Sequence, residues 1–248
     1  VYTFTSRFYL IVQRGRELPR IISEDMVLTK DYYWLVPDQT LIEAGAHVTV
    51  TEGTQVQFWS ADPDDPYSQD ATPFLQVEGT LIVNGTTEEP IEFFAGALYQ
   101  GYAVEINRRS GGQVQIRHTY FANPMVHASM IDHTYFSQDL FDCIYRREEV
   151  GLRCLGPAIA ADEITHSIFH TLGSKWEKWY IYGVDQPILQ MNLFDSSVFE
   201  IGQHNGAQSN VFLKNYKLYE TQWGDREYWV SLARNVGYLC TECDANIG

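Results

Sequence analysis

"IRHTYF" (Ile116 to Phe121), "IDHTYF" (Ile131 to Phe136) and "ITHSIF" (Ile164 to Phe169) repeat one phrase, I-x-H-[T/S]-x-F. Read as chemistry, the phrase gathers His118, His133 and His166, and neutral imidazole is the commonest protein metal ligand. Read as architecture, it is one turn of backbone built three times. A β-sandwich gives no reason for the phrase to recur, whereas stacked layers set equivalent positions above one another, Ile on Ile and Phe on Phe. Successive rings would then lie about 4.8 Å apart, the spacing of neighbouring strands, which makes a ladder and not a tetrahedral shell. Thr119, Thr134 and Ser167 fit the same ladder as stacked hydrogen-bonding positions. The expectation is therefore a scaffold, with no metal and no cofactor. The offsets between phrases, 15 and 33 residues, are uneven, and the first is short for a full turn of a three-sided coil.

Working outward, the stretch from Gln39 to Phe94 reads "QTLIEAG", "AHVTVTEG", "TQVQFW", an acidic excursion, then "FLQVEG", "TLIVNG" and "EEPIEFF". Each piece is a short period-2 strand closed by a glycine or a polar turn. Gly45, Gly53, Gly79 and Gly85 mark the corners, where a residue lacking Cβ can take φ > 0. Strands this short cannot each bury a face alone, so they must stack.

The segments "LTKDYYWLVPDQTLIEAGAHVTVTEGTQVQF" and "LQVEGTLIVNGTTEEPIEFF" resemble the parallel β-helix repeats of large secreted and cell-surface proteins. Gly45, Gly53, Thr54, Phe58, Gly79, Thr80, Leu81, Gly85, Thr86, Pro90, Ile91 and Phe93 carry the likeness, close over residues 22 to 95 and looser from 100 to 220. It implies an all-β fold, a right-handed parallel β-helix (solenoid) with loop excursions. Within it, "CIYRREEVGLRC" (Cys143 to Cys154) is similar to the closing segment of scavenger-receptor cysteine-rich domains. Animal junction proteins of the Bark beetle (Anakonda) type combine such modules with β-helix repeats, so the resemblance implies surface adhesion.

Bulk composition narrows the partners. In 248 residues, 17 Lys and Arg stand against 32 Asp and Glu, a formal charge of −15. That is the wrong sign for neutralising phosphates or anionic headgroups, so neither nucleic acid nor a membrane surface is an expected partner. No apolar stretch approaches the roughly 18–20 residues that span a bilayer. With 45% hydrophobic residues there is ample material for a core.

The four cysteines form two sequence-local pairs, Cys143 with Cys154 and Cys240 with Cys243, which suits disulfides in an oxidising compartment. "CTEC" (Cys240 to Cys243) could also be half of a zinc site or a redox dithiol, though no second knuckle and no βαβ context accompany it. "NGT" at Asn84 is a glycosylation acceptor. Asp62, Asp64, Asp65 and Asp70 offer oxygen ligands in an extended, proline-containing loop without an EF-hand pattern.

"KWEKWYIY" (Lys175 to Tyr182) and "QWGDREYW" (Gln222 to Trp229) concentrate Trp176, Trp179, Tyr180, Trp223 and Trp229. These aromatics either meet a glycan or protein partner or pack a covering loop. A nucleophile elbow, a phosphate loop, a zinc-protease helix and a dinucleotide fingerprint are all missing.

Three segments are expected: residues 1–21 as an N-terminal strand, cap or donated segment, 22–230 as the β-helix, and 231–248 as a cysteine-containing tail. The first residue is Val, without the n- and h-regions of a signal peptide, which fits a processed or excised piece. The functional expectation is a non-enzymatic extracellular structural or adhesion protein. It would be part of a larger or self-associating, filament-like assembly with itself, other extracellular proteins or glycans as partners. The alternatives are a polysaccharide lyase or glycoside hydrolase, which needs two carboxyl groups across a cleft, and a carbohydrate-binding module with aromatics in a flat row.

Overall fold

The computed structural model describes residues 15–37, 39–58, 73–95, 104–122, 124–138, 144–148, 151–155, 158–171, 178–182, 188–195, 198–201, 206–208, 211–215, 217–220 and 238–240. Every regular element among them is a β-strand, and the strands fall into successive layers. The first holds β1 (Gly15–Glu17), β2 (Ile21–Ile22) and β3 (Met26–Leu28), and the second β4 (Tyr33–Val36), β5 (Gln39–Ile42) and β6 (His47–Thr51). Next come β7 (Gln55–Phe58), β8 (Phe74–Val77) and β9 (Thr80–Asn84), then β10 (Ile91–Ala95), β11 (Val104–Arg108) and β12 (Gln113–Arg117). The following layer has β13 (Thr119–Ala122) and a single long strand, β14 (Pro124–Asp132). After it come β15 (Tyr135–Gln138), β16 (Ile144–Glu148), β17 (Gly151–Leu155) and the long β18 (Ala158–Thr165). The remaining strands are β19 (Ile168–Thr171), β20 (Lys178–Tyr182), β21 (Ile188–Gln190), β22 (Leu193–Asp195), β23 (Val198–Ile201), β24 (Gly206–Gln208), β25 (Val211–Asn215), β26 (Lys217–Glu220) and β27 (Tyr238–Cys240).

Alternation in the sequence decides which side of each strand is buried. In β6, Val48 and Val50 are buried while His47, Thr49 and Thr51 face outward, and β7 and β8 follow the same rule. Between layers the pairing is parallel. One ten-stranded sheet runs β1-β4-β7-β10-β13-β15-β19-β22-β25-β27.

The second sheet corrects the expectation of a right-handed parallel β-helix. A regular coil of that kind keeps its faces apart, but here β14 pairs with both β11 and β12 and so carries two limbs at once. The path β2-β5-β8-β11-β14-β12-β9-β6-β3 therefore goes out along one limb and back along the other. Nine parallel strands make a nearly closed, barrel-like wall. The chain is all-β, built of parallel sheets, in a barrel-like arrangement.

The joint has a visible cause. In the layer before it, Arg109, Ser110, Gly111 and Gly112 break the chain between β11 and β12, with Gly111 at φ +87°. "PMVHASMID" contains no such breaker, so β14 runs straight through. Arg108 braces the place where the turn is lost. Its guanidinium donates to Asp162 Oδ2 and Oδ1 at 2.7 and 3.0 Å and to Ser129 Oγ at 2.8 Å, and Ser129 Oγ also accepts from the Val114 amide at 3.2 Å.

Inside the stack, equivalent side chains form columns. Phe93, Phe121, Phe136 and Phe169 are all buried, with neighbouring ring centroids 5.0, 5.5 and 4.9 Å apart and planes within 21° of parallel. A second column, Leu28, Val50, Val83, Ile116, Ile131 and Ile164, is likewise buried and continues by register to Leu189 and Ala207.

The corner glycines divide into two kinds. Gly53 takes φ +69°, as the sequence predicts. Gly79 does not turn left-handed; a Cβ there would lie 2.3 Å from the Glu43 carbonyl oxygen, so close approach of layers is what requires glycine.

The uneven offset of 33 residues is also accounted for. Between His133 and His166 the chain makes an antiparallel excursion, β16 with β17, and its register sets Tyr145 opposite Cys154.

Candidate functional site

β12, β14, β18 and β21 end at one corner of the stack, and the residue leaving each strand turns left-handed. Backbone φ is +45° at His118, +47° at His133, +49° at His166 and +55° at Met191. Such a conformation costs a residue with a Cβ on the order of 1 kcal/mol or more, and histidine tolerates it better than bulky apolar types. The residue after each histidine clamps the turn by donating back across it. Thr119 Oγ1 reaches the Arg117 carbonyl at 2.9 Å, Thr134 Oγ1 the Asp132 carbonyl at 3.0 Å, and Ser167 Oγ the Thr165 carbonyl at 2.8 Å. All three hydroxyl residues are buried, so their donors stay committed to the turn.

After Met191, Asn192 takes over the clamp. Its Oδ1 accepts from the Ser167 amide and its Nδ2 donates to the Ile164 carbonyl, both at 2.9 Å. "LQMNLF" (Leu189 to Phe194) is thus a further copy of the opening phrase, and the register extends the series to "AQSNVF" (Ala207 to Phe212). Neither shares the histidine, which is why the phrase conceals them.

Outside the corner the imidazoles stack. His118 and His133 have ring centroids 4.8 Å apart, and His133 and His166 4.6 Å. Asp132 joins the last two. With protons on Nδ1, both imidazoles donate to its Oδ1, His133 at 2.9 Å and His166 at 3.0 Å, and Thr165 Oγ1 donates to the same oxygen at 2.7 Å. Burial pushes the Asp132 carboxyl upward, but the hydrogen bonds from Thr165, His133 and His166 outweigh it and hold the group down to about 2. Asp132 is mostly covered, with 20% of its side chain exposed, against 47% for His133 and 43% for His166. One ligand atom from each of Asp132, His133 and His166 lies within 4.8 Å of the others.

Three histidines alone do form a ladder and not a shell. What the sequence reading missed is Asp132, and the available signal was the second letter of the phrase: Arg117, Asp132 and Thr165 occupy that place in turn.

Of the other predicted residues, Asn84 is exposed at the end of β9, which leaves its carboxamide reachable. Cys154, Trp179, Tyr180 and Cys240 lie on β17, β20 and β27, where the backbone register sets Tyr180 beside Ala158 and Glu200. Cys143, Cys243, Trp176, Trp223, Trp229 and the aspartates of the acidic loop fall outside the described residues. Among the described residues no helix is long and apolar enough to cross a membrane. No family model, no curated protein and no solved structure matches the chain.

Proposed function

We propose that the chain is a non-enzymatic structural or adhesion protein of the cell exterior, working as one segment of a larger or self-associating assembly in which successive copies continue one another's layers. The observation that carries this reading is the first layer. Ile21 in β2 and Val27 in β3 are 58% and 57% exposed, and among the described residues each of these strands has one neighbour, β5 or β6. A strand edge with unpaired amides and carbonyls beside exposed β-branched residues favours adding another strand, and a second copy of this chain offers layers of the same spacing. The recurring Ile, Phe, Thr and His positions support the same role, because they are spent on holding layer to layer. Two local cysteine pairs and the exposed Asn84 acceptor favour an oxidising, glycosylating compartment.

Sedimentation velocity over a wide concentration range, with electron microscopy of the same sample, tests the proposal. End-to-end particles in the wild type that are lost in Val27→Lys support it. Discrete monomers at every concentration overturn it, as does turnover in a screen of acidic and neutral glycans.

A further inference from the structure

We propose that Asp132, His133 and His166 bind a divalent transition-metal ion of the zinc class, held by one carboxylate oxygen and the Nδ1 atoms of two stacked imidazoles, with solvent completing the shell. Two ligands on one tetrahedral zinc ion stand about 3.3 Å apart, as bond lengths near 2.0–2.2 Å require. Here Nδ1 of His133 and Nδ1 of His166 already lie 2.9 and 3.0 Å from Asp132 Oδ1. An ion entering there takes the place of the two Nδ1 protons, each imidazole then carrying its proton on Nε2. It opens each nitrogen–oxygen pair by a few tenths of an ångström and needs all three ligand atoms, now within 4.8 Å of one another, near that same separation.

Three further features favour an ion here. The left-handed backbone at +47° and +49° brings both histidines to one corner before any ion arrives, and the rings, stacked 4.6 Å apart with planes 16° from parallel, have to tilt towards each other for their in-plane lone pairs to meet on it. Thr165 Oγ1, at 2.7 Å, orients the carboxylate from behind, the usual task of an outer-shell donor. Both histidines are nearly half exposed, so ion and water have access.

The carboxylate is not needed for the turn itself, because His118 makes the same left-handed corner with Arg117 in the preceding place. Two nitrogen donors exclude calcium and magnesium as the preferred guests. The ligands belong to adjacent layers, so the ion would pin one layer to the next.

The test uses the full chain under non-reducing conditions, freed of metal with a chelator and titrated with Zn²⁺ by calorimetry and with Co²⁺ by absorbance. The expected result is one site whose cobalt spectrum lacks thiolate charge-transfer bands, and a melting temperature that rises with Zn²⁺. Asp132→Asn and His166→Gln should each weaken the site by at least about tenfold, with circular dichroism confirming that each variant is folded. His47→Gln should leave it unchanged, since the His47 imidazole pairs with Asp25, at 3.1 Å, and is not one of the three ligands. Wild type that binds no ion, cobalt bands from thiolate, or affinity that survives in whichever of the two ligand variants folds would overturn the proposal.

Discussion

Replacing Phe136 with Ala tests whether the phenylalanine column holds the layers together. Phe136 is 0% exposed and sits between two rings, Phe121 at 5.5 Å and Phe169 at 4.9 Å, both nearly parallel to it. Deleting a buried phenyl group costs about 3–5 kcal/mol. Two stacked contacts of roughly 0.5–1.5 kcal/mol each are lost with it. The hole cannot close easily, because the Phe121 and Phe169 backbones are held in register on either side. A loss near the upper end, about 4–5 kcal/mol, follows, which is a large share of the ~5–15 kcal/mol that stabilises a typical domain. Tyr120→Ala is the control on the outer face. That ring also stacks, on Tyr135 at 5.3 Å, but it is 37% exposed, so the loss should be about 1 kcal/mol. Urea unfolding followed by circular dichroism, with the slope checked for constancy, gives both numbers. A Phe136→Ala loss below about 2 kcal/mol, or one no larger than that of Tyr120→Ala, would refute the column as the main support of the stack.

Thr40 is buried, and among the described residues its hydroxyl has no hydrogen-bond partner. Thr40→Val, nearly isosteric, should therefore raise stability by about 1 kcal/mol, seen as a melting temperature a few degrees higher; a lower one would mean that the hydroxyl has a partner after all. His127 supplies a pH dependence. Burial first, then the neighbouring Arg108, lower its pKa from the ordinary 6.5, with Asp162 opposing them in part. The unfolded chain then holds more protons than the folded one below pH 6.5, so this contribution is complete above 6.5 and is lost as the pH falls through the lowered folded value. Urea midpoints at pH 7.5 and pH 5.5 should differ less in His127→Gln than in the wild type, and equal differences would remove His127 as the cause.

How much of this was legible in the sequence depends on which force set each feature. Strand alternation in "HVTVT" and "QVQF" was readable because burial of one face obeys a period of two. The ladder was readable where one residue type recurs, at His118, His133 and His166, and unreadable at Met191 and Asn192, where different side chains satisfy the same backbone. Gly79 looked like a flexible corner, yet a carbonyl oxygen 2.3 Å from the place of its Cβ is a contact between layers that no local pattern encodes. The joining of the limbs through β14 was harder still. Its only local sign is the missing glycine break in "PMVHASMID", and its consequence depends on pairing with strands far away in the chain.

The same physics connects the corner to the metal proposal. A left-handed turn at a strand end restricts the choice to Gly and a few polar types that can bond locally, histidine among them. Glycine fills that need at Gly53, with φ +69°. Choosing histidine at three corners adds a ring, and the layer spacing then forces the rings into a stack at 4.6–4.8 Å whatever their chemistry. A stack of imidazoles held that way is still only a ladder. One change in the preceding position, Asp132 where the layer before has Arg117, places an ionised carboxylate between two Nδ1 atoms already brought together by the backbone. Architecture thus brings the side chains to one corner and leaves the rings only to tilt, and a single side chain decides whether that corner acquires a ligand set.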